Sequence, residues 1–315
     1  MPSVLVVEDL KKTYPGTRKT PAVDAVRGIS FAVEAGETFG LLGPNGAGKS
    51  TTLGCITSLV RPTSGRIVVD GVDAQRDPLK VRRLIAVVPQ TRNLDRDLSV
   101  REVLTYHGRY FGLPAAEREA RADRLLEEMQ LSDKAGAKPL TLSGGLQQRA
   151  MIARALMHDP LIILLDEPTS GLDPANARHV RDLIANLRQN GRALLVSTHN
   201  LHEAEELADR IAVLNTDLLA DASPSALRQR LTGMHVDIEV EGPAAEWQRL
   251  LPATTVESVR ATSSMLSVTL SGEHQVPDIV AALVSGGARI RRVVPRERTL
   301  EEVYLSLVGD IEGAA

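Results

Sequence analysis

Residues 43–51 read Gly43-Pro44-Asn45-Gly46-Ala47-Gly48-Lys49-Ser50-Thr51, the part of the sequence most informative about its fold. It fits the pattern G-x-x-x-x-G-K-[ST], in which glycines let backbone N–H groups converge on a phosphate without side-chain clashes. Residues 37–42 before it read as a short buried strand, and residues 49–59 after it read as a helix. We predict that Lys49 contacts the β- and γ-phosphates of a nucleotide and that the Ser50 hydroxyl ligates Mg²⁺.

A pair of carboxylates follows an unbroken apolar run at residues 161–165, which is typical of a central parallel strand buried on both faces. We expect Asp166 to hold Mg²⁺ through water, and Glu167 to act as a general base toward an attacking water. A solvated acidic turn before Pro168 is the alternative interpretation. The phosphate loop earlier in the chain favours the catalytic one.

A third motif, Leu142-Ser143-Gly144-Gly145-Leu146-Gln147-Gln148-Arg149, lies where a helix over residues 147–157 must begin. A Ser hydroxyl and bare N–H groups at a helix N-terminus form a second device for binding phosphate. The spacing alone fits an ordinary helix cap equally well.

Strands alternate with helices over residues 1–230, which predicts an α/β fold with a parallel sheet wound on both sides. Residues 91–160 are mostly helical in pattern. The pattern then changes, and residues 231–315 read as a separate small α+β domain. Its order is strand 236–240, helix 243–251, strands 256–260 and 265–270, helix 276–284 and strand 289–294, a ferredoxin-like β-α-β-β-α-β arrangement.

Together these motifs resemble the ATP-binding cassette (ABC) ATPases over about residues 4–230, in the family's order. The resemblance implies a P-loop NTPase fold, with a RecA-like parallel sheet and a helical subdomain at about 91–160. It implies ATP and Mg²⁺ as cofactors. Residues 43–51 match the Walker A loop, Asp166 and Glu167 end the Walker B strand, and residues 142–149 match the ABC signature.

The resemblance also assigns roles to four single residues. Tyr14 matches the aromatic that stacks on adenine, and Gln90 matches the Q-loop glutamine that senses Mg²⁺ and the attacking water. Asp173 belongs to the matching D-loop, and His199 matches the switch histidine that contacts the γ-phosphate. The residues themselves leave core packing open for Tyr14. The H-x-x-H spacing of His199 and His202 leaves zinc conceivable, although no third ligand cluster is apparent.

Further segments narrow the resemblance. Residues 93–95, 98–102 and 107–113 are similar to the ATPase subunits of bacterial drug and antibiotic exporters and of nodulation-type lipo-oligosaccharide exporters. The tail, residues 298–304, resembles the closing helix of that subgroup, which also carries a small C-terminal domain. The family usually has a glycine-bearing hairpin after residues 210–214. This chain has Asn215-Thr216-Asp217 there, so the hairpin's geometry is open.

Composition excludes several classes of protein. The 315 residues carry 37 basic and 40 acidic side chains, a net charge of −3, which argues against a dedicated nucleic-acid binder. The single cysteine, Cys55, excludes an internal disulfide and is expected to be a small buried hydrophobe. Neither a signal peptide nor an apolar run of the roughly 18–20 residues that span a bilayer is evident.

The expected partners follow from the resemblance. In ABC ATPases the signature of one subunit closes over ATP held by another, so this chain needs a second ATPase subunit, most simply a copy of itself. A separate multi-span permease would hold the dimer at the inner face of the bacterial cell membrane, on the cytoplasmic side. Two alternatives stay open: a soluble ABC-type ATPase acting on ribosomes or DNA, and an ATPase gated by a ligand that the C-terminal domain senses.

Overall fold

The chain divides into two compact units, Met1–Pro224 and Ser225–Ala315. The computed structural model describes residues 3–17, 20–188, 191–230, 234–252, 256–296 and 299–312. Residue 231, where the sequence pattern places the start of the second domain, and Arg298 of the tail motif lie outside these ranges.

Strands and helices alternate along the first unit. Its strands are β1 (Ser3–Tyr14), β2 (Val23–Glu34), β3 (Thr38–Leu42), β4 (Ser64–Val69), β5 (Val72–Asp73), β6 (Ile85–Val88), β7 (Ile162–Asp166), β8 (Ala193–Thr198), β9 (Arg210–Asn215) and β10 (Asp217–Ala222). Its helices are α1 (Lys49–Ile56), α2 (Pro78–Leu84), α3 (Val100–Tyr110), α4 (Ala115–Glu128), α5 (Gly144–Leu156), α6 (Pro174–Arg188) and α7 (Leu201–Leu207).

The centre of this unit is a sheet in the order β10-β9-β3-β8-β7-β6, parallel throughout except for the β10–β9 pair. In β7, Ile163 and Leu165 face a core formed with α3, α4, α5 and α6. Ile162 and Leu164 face the opposite core, formed with α1 and the N-terminal strands. Each fully buried aliphatic side chain contributes about 2 kcal/mol. The unbroken apolar run is therefore explained by burial on both faces, as expected.

A second, antiparallel sheet in the order β2-β1-β4-β5 covers the α1 side of the unit. The sequence pattern did not predict β4 or its pairing with β1. Cys55 is 1% exposed in this core, and burial raises the pKa of its thiol to about 11. The thiol behaves as the small buried hydrophobe that we expected.

The helical part between β6 and β7 is less continuous than its sequence pattern suggests. A capping box starts α3, because the Ser99 hydroxyl accepts a hydrogen bond from the Glu102 N–H and Glu102 Oε2 accepts one from the Ser99 N–H at 2.8 Å. After α4, residues 129–143 run through short 3₁₀ turns before α5 begins. This interruption places the signature at the start of a new helix.

The β9–β10 hairpin forms without a glycine. Thr216 occupies the turn with φ +63°, a left-handed conformation that glycine ordinarily adopts. Backbone hydrogen bonds hold it there: Thr216 N–H donates to Ala47 O at 3.1 Å, and Arg27 N–H donates to Thr216 O at 2.9 Å. The turn therefore also braces the loop that contains Ala47.

The second unit begins within α8 (Pro224–Arg230) and then has the predicted β-α-β-β-α-β order. Its elements are β11 (Met234–Val240), α9 (Ala244–Trp247), β12 (Val256–Thr262), β13 (Met265–Leu270), α10 (Val276–Ser285), β14 (Ile290–Arg296) and α11 (Leu300–Glu312). The antiparallel sheet order β12-β13-β11-β14 is the ferredoxin-like one. The helix predicted over 243–251 is wrong beyond Trp247, where a 3₁₀ turn leads to an extended Leu251, a conformation that Pro252 favours.

Among the residues that the structure describes, none of the helices is both long enough and apolar enough to cross a membrane.

Candidate functional site

The loop between β3 and α1 is closely held by its surroundings. Gly48 has φ +93°, and a Cβ there would lie 2.3 Å from Ala25 O. A Cβ on Gly43 would lie 2.3 Å from Leu214 O. Gly46, with φ +87°, would meet nothing within 4 Å. Two glycines thus allow neighbouring strands to approach, and the third allows the turn itself.

This loop forms one wall of a cleft of about 310 Å³. The cleft brings together residues from the two sheets of the first unit, and it is lined by Tyr14, Val23, Ala25, Pro44, Asn45, Gly46, Ala47, Gly48, Lys49, Ser50, Thr51, Gln90 and Glu167. Of the predicted site residues, the aromatic, the phosphate loop, the Q-loop glutamine and the expected base therefore share one space. Val23, 55% exposed beside Tyr14, was not identified from the sequence, because nothing in its local pattern distinguishes it.

Lys49 is a buried cation at the floor of the loop. Its Nζ donates to Gly43 O at 2.6 Å and to Pro44 O at 3.1 Å, and it lies 3.9 Å from Glu167 Oε1. Burial lowers the pKa of the Lys49 ammonium, whereas the charges of Glu167 and Asp166 raise it. A phosphate in the cleft would supply the anionic partners that such a cation favours.

Asp166 and Glu167 are neighbours in sequence but have different surroundings. Asp166 ends β7 and accepts a short hydrogen bond from the Ser197 hydroxyl. Glu167 has φ +48°, and its N–H donates to Ser197 O at 2.9 Å. Its side chain is 8% exposed, and Oε1 lies 2.8 Å from Nδ1 of His199. The backbone turn therefore directs the second carboxylate toward Lys49 and His199.

The oxygen ligands that Mg²⁺ prefers are present around this cleft. The exposed Ser50 is the second residue of α1, Gln90 follows β6, and Asp166 ends β7. Together they supply a hydroxyl, an amide oxygen and a carboxylate. Because Mg²⁺ is usually bound through one or two carboxylates together with substrate phosphates, a set with one carboxylate and two neutral oxygen donors fits the ion.

Zinc gains no support from the same region. His202 is 77% exposed and lies 3.6 Å from Glu206 Oε2, on the turn of α7 beyond His199. Within the described ranges, no group of three or more His, Cys, Asp or Glu side chains is placed to hold a metal ion.

The Tyr14 ring is 40% exposed at the cleft and has Lys12 Nζ 4.9 Å from its centroid. An aromatic face at this position can stack on a planar base, and its exposure is more than a core residue would have.

The signature is held on a different surface of the unit. Ser143 is exposed and caps α5, since its hydroxyl accepts from the Leu146 N–H at 3.4 Å. Gly145 packs so closely on α6 that a Cβ would lie 2.4 Å from Asn176 Oδ1. The described residues that line the cleft include none of Ser143, Gly144 and Gly145.

Asp173 lies beside the signature rather than in the cleft. Its side chain accepts hydrogen bonds from Asn176 N–H at 3.0 Å and from Asn176 Nδ2 at 2.6 Å, which caps α6. Asn176 therefore links the D-loop to the signature helix within one chain.

Comparison with known proteins identifies the family. Residues 26–170 match the family described as ABC transporter, and residues 223–308 match the C-terminal domain of the DrrA1-3-like ATP-binding proteins. Nod factor export ATP-binding protein I of Burkholderia lata is 40% identical over 291 residues, which cover 90% of this chain and 92% of that protein. The protein of the same name in Rhizobium meliloti is 38% identical over 314 residues, covering 95% and 92%. This chain belongs to the ATP-binding subunits of ABC transporters.

Solved ABC ATPases have the fold of the first unit. An ATP-binding subunit of an ABC transporter aligns with a TM-score of 0.64 at 31% identity, covering 72% of this chain and 93% of that one. A dimeric ATP-binding cassette, MJ0796, in a post-hydrolysis state with bound ADP and Pi, gives 0.63 at 30% identity, covering 70% and 98%. The P-loop NTPase fold and the ABC family are thus confirmed. The chain is an ABC ATPase, and its cassette binds ATP.

Proposed function

We propose that this ABC ATPase energises export of a drug-like or lipid-like molecule through a separate permease. The relatives at about 40% identity are named for Nod factor export, and the C-terminal match is to DrrA-like ATP-binding proteins. The single observation that carries the catalytic part is the convergence of Lys49, Glu167 and His199 beside the phosphate loop.

Binding begins at the phosphate loop. Backbone N–H groups of residues 43–49 and the N-terminus of α1 receive the β- and γ-phosphates, and Lys49 Nζ exchanges its carbonyl partners for phosphate oxygens. The adenine stacks on Tyr14. Ser50, Gln90 and Asp166 would hold Mg²⁺, the last through water. The ion neutralises negative charge on the phosphates.

Hydrolysis uses the buried carboxylate. Glu167 accepts a proton from water as that water attacks the γ-phosphate, the role of a general base. His199 contacts the carboxylate through Nδ1, and its half-exposed position supports the proposal that it also contacts the γ-phosphate. Gln90, two residues after β6, orients the same water and would help to hold the ion.

The site is completed by a second copy. Because Ser143, Gly144, Gly145 and Asp173 lie outside the cleft of their own chain, we propose that they close over ATP bound to another subunit. The dimeric cassette among the structural neighbours supports this arrangement. The N–H groups at the start of α5 would then face the γ-phosphate, and hydrolysis would release the pair.

A permease in the membrane would use the cycle of ATP binding and hydrolysis for transport. We place the dimer at the cytoplasmic face of the bacterial cell membrane, bound to a multi-span permease, with no role in binding nucleic acid. We assign residues 1–230 to the ATPase, with its helical subdomain at about 91–160, and residues 231–315 to an accessory domain.

A pull-down tests the transporter role. Tagged Glu167→Gln protein is recovered from mild-detergent extracts of its own cells' membranes with ATP and Mg²⁺, and bound proteins are identified by mass spectrometry. The Lys49→Ala/Glu167→Gln protein is the matched control, since it keeps the tag but loses ATP. A stoichiometric multi-span protein recovered with ATP supports the proposal. Recovery of soluble partners alone contradicts it and favours a soluble or ligand-gated ATPase.

A further inference from the structure

Glu203 is a buried carboxylate that none of the motifs includes. It is 2% exposed on α7. Thr198 Oγ1 donates a hydrogen bond to Oε2 at 2.6 Å, and Thr169 Oγ1 donates one to Oε1 at 2.7 Å. One carboxylate therefore ties together two segments that are 29 residues apart in sequence, judged by the numbers of the two threonines.

Those two segments carry the reacting groups. Thr198 is the last residue of β8 and directly precedes His199, and Thr169 is two residues after Glu167. The Thr198 hydroxyl also accepts a hydrogen bond from the Asn200 N–H at 3.0 Å, which holds the backbone on the other side of His199. The segment that carries Glu167 and the segment that carries His199 are therefore both hydrogen-bonded to Glu203, through Thr169 and Thr198.

Stability alone does not account for an acid in this place. A buried carboxylate loses its hydration, and an apolar side chain of similar volume often serves stability as well or better. Burial raises the pKa of Glu203, while the hydrogen bonds from Thr198 and Thr169 lower it and the charge of Glu167 raises it further. What the carboxylate offers, and an apolar side chain cannot, is two directional acceptors that hold two hydroxyls at a fixed separation.

We propose that Glu203 is a positioning residue, which sets the distance between Glu167 and His199 by holding Thr169 and Thr198 on one carboxylate. The proposal rests on the roles given above to Glu167 and His199. Glu203 does not itself touch the nucleotide. Its contribution is geometric, and misplacing a catalytic group by about 1 Å can cost about 10²-fold in rate.

The test compares two replacements at one position by steady-state ATP hydrolysis. Glu203→Ala removes both acceptors, and we expect kcat to fall by about 10²-fold with KM for ATP within about threefold. Glu203→Gln keeps the shape and can still bond to both hydroxyls, since a hydroxyl both donates and accepts. We expect it to keep most of kcat. His202→Ala, at the exposed neighbouring residue of α7, is the control and should match the unaltered protein.

Single threonine variants keep the test informative if Glu203→Ala does not fold. Thr169→Val and Thr198→Val each remove one hydroxyl at nearly constant volume. We expect each single variant to lower kcat. The double variant should lower kcat by less than the product of the two single fold-changes, because losing either hydroxyl already releases the link. Melting temperatures of all variants are measured beside kcat, so that a fall in folded protein is not mistaken for a fall in rate.

Three outcomes would overturn the proposal: Glu203→Ala or the double threonine variant keeping kcat, Glu203→Gln falling as far as Glu203→Ala, or KM rising in place of a fall in kcat. These results differ from failure of the proposed function. If Glu167→Gln hydrolyses ATP at the unaltered rate, the general base is misassigned whatever Glu203 does.

Discussion

Nδ1 of His199 lies 2.8 Å from Oε1 of Glu167, and the same oxygen lies 3.9 Å from Nζ of Lys49. The cation that we propose binds phosphate and the carboxylate that we propose activates water therefore lie side by side in the fold. His199 is 54% exposed while Glu167 is 8% exposed, so the histidine forms the outer side of this group. Binding and hydrolysis can then be separated by changing one member at a time.

Glu167→Gln is expected to hydrolyse ATP at least about 10²-fold more slowly while still binding it, because an amide cannot take the proton from water. The protein should elute as an ATP-bound dimer in size-exclusion chromatography. Glu206→Gln, an equivalent change at a partly exposed residue of α7, should behave as the unaltered protein. Hydrolysis by Glu167→Gln at the normal rate would show that the base lies elsewhere.

Lys49→Ala is expected to abolish useful ATP binding, measured by isothermal titration calorimetry. The change removes the charge that faces the phosphates, and it leaves the buried Glu167 without its nearby cation. Lys80→Ala, at an exposed lysine on α2, is the control for loss of one positive charge. An unchanged dissociation constant for Lys49→Ala would contradict the placement of phosphate in this loop.

Ser143→Arg is expected to block ATP-dependent dimerisation and to leave ATP binding by the single subunit intact. The added side chain fills the N-terminus of α5, which is exposed in one chain and would lie against ATP only in the dimer. Ser132→Arg, at another exposed serine before α5, should still dimerise. Light scattering with and without ATP separates the two cases, and a normal dimer of Ser143→Arg would exclude the shared site.

Acid is expected to weaken the first unit through His107. Burial lowers the pKa of His107 to about 4, with smaller contributions from Arg154 and His158. An unfolded histidine has a pKa near 6.5. Between pH 6.5 and 4 this histidine is therefore protonated in the unfolded chain but stays neutral in the folded chain. The contribution of His107 to the free energy of unfolding is therefore fully present above pH 6.5. It falls by at most about 3 kcal/mol as the pH drops toward 4.

Urea unfolding at pH 7 and pH 4.5 checks this effect. His107→Phe removes the titrating group, and we expect it to lose less stability between the two pH values than the unaltered protein. Some loss of stability between pH 7 and pH 4.5 should remain in His107→Phe, because burial lowers the pKa of His158 too. His202→Phe, at an exposed histidine, should keep the full loss. Equal losses in His107→Phe and the unaltered protein would refute the assignment.

Three features could be predicted because each depends on a short local pattern of residues. They are the phosphate loop, the apolar strand before Asp166 and the order of elements in the second domain. The parallel sheet followed from the alternation of strands and helices. Glu203 could not be identified, since its partners Thr169 and Thr198 are brought together only by folding. Its spacing from His199 is also found on ordinary exposed helix surfaces. The signal available was an acid on the buried side of α7.

Other features depend on contacts across the chain that no local pattern records. The pairing of β4 with β1 joins residues some 60 positions apart, such as Leu5 and Val69. Thr216 adopts a glycine-like conformation because Ala47 and Arg27 hold its backbone. The close approach of Asn176 alone requires a glycine at 145, so packing within one chain is compatible with both the cap and the signature interpretations of its motif.

β14 lies at an edge of its sheet, where a strand of another chain could add. Among the described residues β14 pairs only with β11, which leaves its other side as an edge of the sheet. That strand carries the exposed Arg291, Arg292, Pro295 and Arg296. Charge and proline on an edge discourage a neighbouring chain from adding a strand. At this edge, the arginines and the proline therefore disfavour the strand-by-strand growth by which copies of a sheet build a fibril.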